Sequence, residues 1–381
     1  MPVKIAKIGK YDVNRLKHLI KDAIKELKLD LKDKKTAILK PNIVIPAKPG
    51  STIITHPAVV EAVGDVLKEN GFDNIVIGEG AGLGAEEDKI FDVSEYRKLE
   101  EKGYILTNLN RAERVEIKWR YGILKIPKIV TEADLYVNIP KMKTHGQTVV
   151  TLSIKNQKGL LSNADKMKFH KLGLHEPLVE LARVIKPDLI VVDGIEGMEG
   201  EGPLRGKKKK AGVLVIGTNL LEVDMVCCEI MSISYEEVEH LKIGIKEKIG
   251  PGKPEIHGNM VKTKFRRANE KYGHILNVYS WRNPHACSMC IDSFTLAIKS
   301  AVENPRYWLT FIPKFTYLAI FKRIDIIQGL DARIPQKHGI IVCLGDCTKE
   351  IAKENDYIHI KGCPPKAEDI IDALKRVGKS V

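Results

Sequence analysis

Six residues in the middle of the chain, DLYVNI from Asp134 to Ile139, read as one buried strand, and the polar segment beyond them narrows the fold. The stretch from Asn138 to His175 carries Lys141, Lys143, His145, Lys155, Asn156, Lys158, His170 and His175, with glycines at 146 and 159. No packed core accepts so many cations and imidazoles without a compensating partner. A strand whose end opens into polar side chains is the pattern of an α/β protein, where sites gather beyond the carboxyl ends of strands. The stretch therefore reads as a concave site for an anion or a metal-bound cofactor. The plainer alternative is a solvated loop and helix face with ordinary lysines.

The N-terminal half repeats the βα alternation. Residues 3–8 form a short strand, Val13 to Leu27 places apolar residues at helical spacing, and Thr36 to Leu39 is a second strand ending in Lys40-Pro41-Asn42. Thr55-His56-Pro57 opens a helix running to Asn70, with Thr55 or His56 at the N-cap and Pro57 in the first turn. Lys40, Asn42 and the Thr55 hydroxyl are candidates to converge on a phosphate of a cofactor. After a strand from Asn74 to Gly78, Gly80-x-Gly82-x-x-Ala85 formally fits a dinucleotide fingerprint. Glu86, Glu87 and Asp88 then stand where a pyrophosphate would have to sit, so the electrostatics are wrong. Residues 103–127 alternate short β-like runs with turn signals, as an antiparallel flap or sheet extension would. Asp188 to Val192 is a buried strand leading into an acid- and glycine-rich loop from Asp193 to Gly200, in which Asp193 and Glu196 are the groups expected to face a site.

Composition excludes several classes. The 381 residues suit two domains, divided here as a cleft-bearing α/β domain over 1–270 and a metal module over 271–381. No apolar run approaches the ~20 residues of a membrane span, and the start MPVKIAKIGK lacks a signal-peptide core, so the expectation is a cytoplasmic protein with no membrane partner. The net charge of +13 is scattered apart from Lys207 to Lys210, which favours an anionic small molecule over nucleic acid as partner. Five of the seven cysteines lie beyond residue 275: Cys287-x-x-Cys290, Cys343, Cys347 and Cys363-Pro364-Pro365. Stable disulfides are rare in cytosolic chains, so clustered thiols point to metal. A Cys-x-x-Cys pair lets two thiolates from one turn reach one centre, and more distant cysteines complete cluster sites, one of them often followed by proline. The spacing is not that of a two-cluster ferredoxin. A single [4Fe–4S] held by Cys287, Cys290, Cys347 and Cys363 is the assignment, with Cys343 spare or trading places with Cys347. Structural zinc on the same four thiolates is the competitor, since tetrahedral sulfur suits both. The aromatic stretch Asn304 to Phe321 would shield that centre or make an oligomer contact, and Pro313 with Lys314 argues against its spanning a membrane.

The runs PKMKTH and SIKNQKGLL, with LKPNIV (Leu39 to Val44), THPAVVEAV (Thr55 to Val63) and a C-terminal GDCT and GCPP, resemble a family of uncharacterised archaeal and bacterial iron–sulfur-centre proteins known as domain of unknown function 362. That resemblance spans nearly the whole chain and favours the cluster over zinc. A more distant similarity is to the nickel-pincer lactate racemase fold, whose His- and Lys-bearing glycine-rich segment is only loosely matched by His145 to Gly159. The nickel cofactor is therefore not implied. The expected fold is α/β, a large N-terminal domain with a mostly parallel sheet and a smaller cysteine-rich α/β module. The expected function is a redox or cluster-dependent enzyme acting on an anionic small molecule or nucleotide-like cofactor. Lys141, Lys143, His145, Lys155, Asn156 and Lys158 would be the reacting set, with Lys40, Asn42, Thr55 and Asp193 holding the cofactor. Two other classes remain open: an electron-transfer or accessory protein serving a redox partner, and a zinc-stabilised nucleic-acid binder, which would need its lysines merged into one stripe.

Overall fold

The structure, a computed structural model, describes residues 1–268, 276–281, 289–330 and 332–377. It divides into two compact units, Met1–Phe169 with His175–Ala268 and His170–Leu174 with Asn269–Val381.

The first unit is mixed α/β. β1 (Pro2–Lys7) leads to α1 (Val13–Glu26), which starts where the Asp12 carboxylate accepts from the Arg15 amide at 3.0 Å. Leu16, Ile20 and Ala23 recur at helical spacing, so one stripe of α1 is buried and its lysines stay outside. β2 (Thr36–Pro41), α2 (Pro57–Glu69) and β3 (Asn74–Glu79) form a crossover between parallel neighbours. His56, not Thr55, caps α2: its Nδ1 accepts from the Ala58 amide at 3.2 Å. After β3 the chain makes a 3-10 turn at Glu87–Lys89, the four-residue α3 (Ile90–Val93) and a 3-10 segment at Tyr96–Lys102, so the glycine fingerprint opens no long helix on which a pyrophosphate would rest.

β4 (Ile105–Asn108) extends the sheet in parallel with β3, whereas β5 (Arg114–Trp119) and β6 (Gly122–Pro127) form a separate antiparallel hairpin. The expected antiparallel extension over 103–127 is thus half right, because Ile105 to Asn108 finds its partner in β3. After α4 (Lys128–Glu132), β7 (Leu135–Ile139) is the fully buried strand read from DLYVNI. Pro140 interrupts it, and β8 (Lys141–His145) turns to pair with β9 (Val149–Thr151). The chain continues through α5 (Ser153–Asn156), a 3-10 turn at Gln157–Leu160, α6 (Asn163–Lys171) and α7 (His175–Val184).

β10 (Leu189–Glu199) corrects the sequence reading at one point: residues 193–199 are strand, not loop. The strand runs on past β7 because its second half finds further partners in β8 and β11 (Lys207–Lys209), while β12 (Val213–Gly217) pairs along its first half, Ile190 to Gly194. The basic run at 207–209 is therefore a strand, and Lys208 pairs with Glu196 at 2.7 Å. α8 (Leu220–Ile230), α9 (Glu239–Lys246) and β13 (Glu255–His257) complete the unit. The main path of the 11-stranded sheet is β13-β1-β12-β10-β7-β2-β3-β4, with most pairs parallel. Its core strands are apolar on both faces, the mark of a sheet covered on both sides.

The second unit holds a parallel four-stranded sheet in the order β14 (Val278–Trp281), β15 (Ile324–Gln328), β16 (Ile340–Leu344), β17 (Ile358–Ile360). α10 (Met289–Glu303) and α11 (Ile312–Phe321) lie between β14 and β15, α12 (Lys349–Asn355) between β16 and β17, and α13 (Ala367–Arg376) follows β17. The strand–helix–strand–helix reading of 339–377 corresponds to β16 through α13. Of the aromatic stretch expected to shield the centre or make an oligomer contact, Phe311, Leu318 and Ala319 are buried, whereas Trp308, Leu309, Tyr317, Ile320 and Phe321 are exposed.

One close approach fixes α2 against the sheet. A Cβ on Gly64 would lie 2.4 Å from Cε1 of Tyr104, a buried ring whose hydroxyl is held by Asp65 at 2.6 Å. Gly64→Ala should therefore destabilise the protein by about 1–3 kcal/mol, although alanine is the better helix former by about 1 kcal/mol. Gly50→Ala, with nothing within 4 Å of the added carbon, should stay within about 0.5 kcal/mol. Urea unfolding of the two variants checks this, and equal effects would mean that Tyr104 moves aside freely.

Candidate functional site

The strand ends of β2, β3, β8 and β10 bring together most of the lysines singled out in the sequence. Alternation along β8 puts Lys141, Lys143 and His145 on one face, and all three are buried. Lys141 lies opposite Asp193 in the pairing of β8 with β10. Its ammonium donates to the Asp193 carboxylate at 2.8 Å and to the Tyr11 hydroxyl at 2.8 Å. Tyr11 in turn donates to Asp193 at 3.1 Å, and the His56 amide donates to the same carboxylate at 3.0 Å. Tyr11 stacks on the His56 ring with centroids 3.8 Å apart. Burial and the facing Asp193 push the Tyr11 phenol far up, so it stays protonated. Burial holds the His56 imidazole below its usual value, with Asp193 opposing and Lys141 adding to the shift. The result is a fully buried carboxylate surrounded by an ammonium, a phenol and a helix-capping imidazole.

A second carboxylate, Glu79 at the end of β3, organises the neighbouring wall. Its Oε1 accepts from Lys40 at 2.9 Å and from the Gly80 amide at 2.9 Å, and its Oε2 accepts from the Ile43 amide at 2.7 Å. Burial pulls the Lys40 ammonium down and Glu79 opposes that pull. Gly159 is pressed onto this pair: a Cβ there would stand 2.2 Å from Glu79 Oε1 and 2.6 Å from Lys40 Nζ. Lys166, on α6, donates to the Gly80 and Ala81 carbonyls and to Asn110 at 3.1, 2.6 and 2.7 Å. Burial lowers it to about 7 despite the nearby Glu79.

Lys143 and Lys155 have less to offset their charge. Lys143 donates to the Ile53 carbonyl at 2.7 Å. Desolvation, with Lys141 adding to it, brings its ammonium down to about 7, and Glu79 opposes only in part. Lys155, half-buried on α5, is also lowered to about 7 by desolvation, and the charge acting on it is another cation, Lys143. His145 uses Nδ1 to accept from the Gln147 and Thr148 amides at 3.0 and 3.2 Å, so that nitrogen carries no proton. Lys158 is half-buried on the turn after α5, and its charge acts on Lys166. Beyond Lys155 lie two imidazoles, His175 and His240, with ring centroids 5.9 Å apart. Burial, then His175 and Lys155, lowers His240 to about 3, and it is neutral.

The amides form the floor. Asn42 donates to Asn156 at 3.0 Å, Asn156 to Asn138 at 2.7 Å, and Asn138 to the Ser153 carbonyl at 2.9 Å. The Thr55 hydroxyl donates to the Ile139 carbonyl at 2.7 Å and accepts from the Asn42 amide at 3.0 Å. Lys40, Asn42 and Thr55 converge at the tip of β2, where each has a protein partner. Asp224 reaches up from α8 to the start of α5, where its carboxylate accepts from the Ser153 hydroxyl at 2.6 Å and from the Ser153 and Ile154 amides at 2.7 and 3.0 Å. Burial still lifts it to about 7.

Tyr11, His56, Lys166 and Asn138 belong to this constellation and sequence reasoning did not select them. His56 carried a signal, the cap before Pro57. Tyr11 carried none, because its partners lie 130 and 182 positions away.

In the second unit the cysteines split by environment. Cys343 lies in β16 among Ile327, Ile341 and Ala352, and burial pushes its thiol up to about 11. Cys347 and Cys363 instead come just after the ends of β16 and β17, half-buried and exposed respectively, and Cys290 opens α10. Parallel strands put such ends on one edge of the sheet. The two loops are tied by Gly345 N–H to the Ile360 carbonyl at 2.9 Å, and by the Gly362 amide to Asp346 at 2.8 Å. At Gly345, with φ +86°, an added Cβ would lie 2.8 Å from Cys290 Sγ and 3.4 Å from the Gly362 carbonyl. Cys287 lies outside the described residues. Among the described residues no group of three or more His, Cys, Asp or Glu side chains is arranged to hold a metal ion. Among them also, no helix is long and apolar enough to cross a membrane.

Comparison with known proteins locates the chain. A thylakoid-associated protein of Synechocystis sp. is 28% identical over 202 residues, which cover 51% of this chain and 63% of that protein. The chain thus spans less than two thirds of that relative. Among solved structures, the lactate racemase apoprotein of Thermoanaerobacterium thermosaccharolyticum is similar over 50% of each chain at 16% identity and a TM-score of 0.35. A Thermotoga maritima protein from a structural genomics programme is similar over 97% of this chain and 84% of its own, at 11% identity and a TM-score of 0.42. The profile described as Domain of unknown function (DUF362) matches residues 38–229, half of the length, from β2 through α8, and the chain belongs to that family.

Proposed function

We propose that this protein is an iron–sulfur enzyme whose first unit binds an anionic small molecule or nucleotide-like cofactor beside Lys143 of β8 and Lys155 of α5. The observation that carries the reading is the surplus of desolvated ammonium groups. Asp193 offsets Lys141 and Glu79 offsets Lys40, but among the described residues the charge that shifts Lys155 is another cation, and Lys143 has a carbonyl for a partner. Such groups stay neutral or acquire an anion. A bound phosphate or carboxylate would restore their charge, and Asn156, on the same short helix as Lys155, would orient it. Tyr11, Lys141 and Asp193 form a hydrogen-bonded chain suited to holding a proton beside that ligand.

For the metal, Cys290, Cys347 and Cys363 with Cys287 remain the ligand set we favour. The support is the contact of Cys290 Sγ with Gly345, one loop residue from Asp346-Cys347 and close to the Gly362 carbonyl before Cys363. Cys343 is disfavoured because its thiol is buried in the sheet and resists deprotonation. A [4Fe–4S] cluster bound there would supply one-electron chemistry.

Protein purified without oxygen should be brown, with about four irons per chain. Cys363→Ser should lose the iron while Cys343→Ser and Cys227→Ser retain it. Colourless protein with one zinc per chain would make the centre structural, and loss of iron from Cys343→Ser would reassign the ligand.

Lys143 and Lys155 titrate near 7 when folded, against an ordinary value of 10.5. Between those values the unfolded chain binds more protons, so these groups make stability rise with pH from about 7 to about 10 and add no slope below 7. An anion needs the charged forms, so its affinity must run the other way and fall as pH rises through 7. Pyrophosphate or malonate should raise the melting temperature more at pH 6 than at pH 9, and Lys155→Ala should weaken binding by about tenfold or more while leaving the iron content unchanged. An equal thermal shift in wild type and Lys155→Ala would reduce the site to a buried structural cluster, leaving the electron-transfer role.

A further inference from the structure

α11 is apolar on both sides. Leu318 and Ala319 are buried in the core of the second unit along with Phe311, and Phe315 packs against that core. The opposite side shows Tyr317, Ile320 and Phe321, the last 69% exposed, and the turn leading into the helix shows Trp308 and a Leu309 that is 91% exposed. A helix on the surface of a globular protein carries polar groups outward, so this outward face calls for a cover.

Charge narrows the choice of cover. From Asn304 to Ile324 the sequence holds Arg306, Lys314, Lys322 and Arg323 and no Asp or Glu. Lys314 is engaged with the Lys375 carbonyl and Arg323 with Asp325, whereas Arg306 and Lys322 are exposed at the two ends of the segment. A second copy docked about a two-fold axis would bring this acid-free segment against itself, cation facing cation. A protein partner would need a fitted pocket for each protruding Leu and Phe. A layer of acyl chains needs none, and anionic headgroups meet the cations. Trp and Tyr, apolar with one polar edge, are the residues that settle at such a boundary.

We infer that α11 and the Trp308–Leu309 turn dock on an anionic membrane surface, with Leu309 and Phe321 entering the headgroup–acyl boundary and Arg306 and Lys322 meeting phosphates. The contact lies on the surface and crosses nothing, so it stands beside the absence of a spanning helix among the described residues.

The test is sedimentation of the full-length protein with vesicles of phosphatidylcholine alone and of phosphatidylcholine with phosphatidylglycerol in equal parts, read together with tryptophan fluorescence. Wild type should partition onto the anionic vesicles at least about fivefold more strongly than onto neutral ones, and less so as salt screens the headgroups. Its emission should shift to the blue, and Trp308→Phe should remove the shift. Leu309→Ser with Phe321→Ser should weaken partitioning by about tenfold or more. Both side chains are exposed, so the double variant should keep the wild-type melting temperature, which separates lost binding from lost fold. Arg306→Gln with Lys322→Gln should remove the preference for anionic lipid. Failure of wild type to sediment, or equal sedimentation of wild type and the double variant, would overturn the inference. So would a double variant that turns a dimer into a monomer without any change at the vesicle.

Discussion

Glu79 sits out of water with both carboxylate oxygens occupied, and a buried carboxylate is tolerable only on those terms. Its partners come from separate parts of the chain. Lys40 is the last side chain of β2 before Pro41, Ile43 begins the loop that leads to α2, and Gly159 presses on the pair from the turn after α5. Removing either charge would leave the other stranded, a change that typically costs about 3–5 kcal/mol. The ends of β2 and β3, the turn carrying Lys158 and the base of α6 therefore hold one another in place, and the neighbouring lysines are positioned by that arrangement.

Asp193 repeats the device one strand pair away with different chemistry. Its partners are an ammonium, a phenol and a backbone amide, and the phenol lies flat on an imidazole that caps α2. Between the two carboxylates stand more cations than they can neutralise. The excess falls on Lys143 and Lys155, which respond by loosening their protons. Under the proposed function such a site would be adjustable: a bound anion would restore the lost charge, while the walls stay fixed by the two satisfied pairs.

The elements legible in the sequence are those whose pattern is local. The stripe of α1, the proline-led start of α2 and the apolar runs of β2, β3 and β7 each announce themselves within ten or fifteen residues. Asp193 to Glu199 reads as loop because glycine and acid content usually mark one, whereas here β8, β11 and β12 supply hydrogen-bond partners that no local pattern shows. Likewise Lys207 to Lys209 look like a solvated run until Glu196 and Glu199 are found across the ladder. The lysines of the site are visible as residues too costly to bury without reason. Their pairings are not, since Tyr11 and Asp193 meet only through the folded sheet, and the Asn42 amide reaches the Thr55 hydroxyl only once the loop between them is folded. Cys343 and Cys347 are indistinguishable by spacing, and the end of β16 falls between them.

The position of β1 in the sheet has a consequence for synthesis. Among the described residues β1 pairs with β12 and β13 alone, strands that begin at Val213 and Glu255. As the chain leaves the ribosome, its first strand thus waits with unpaired edges while most of the first unit is made. Tyr11, just behind it, cannot reach Asp193 before that strand docks. Such long-range closure is slow and leaves apolar strand surface open to wrong partners meanwhile. β1 is thus made well before the strands that it pairs with, and the sheet closes on it late.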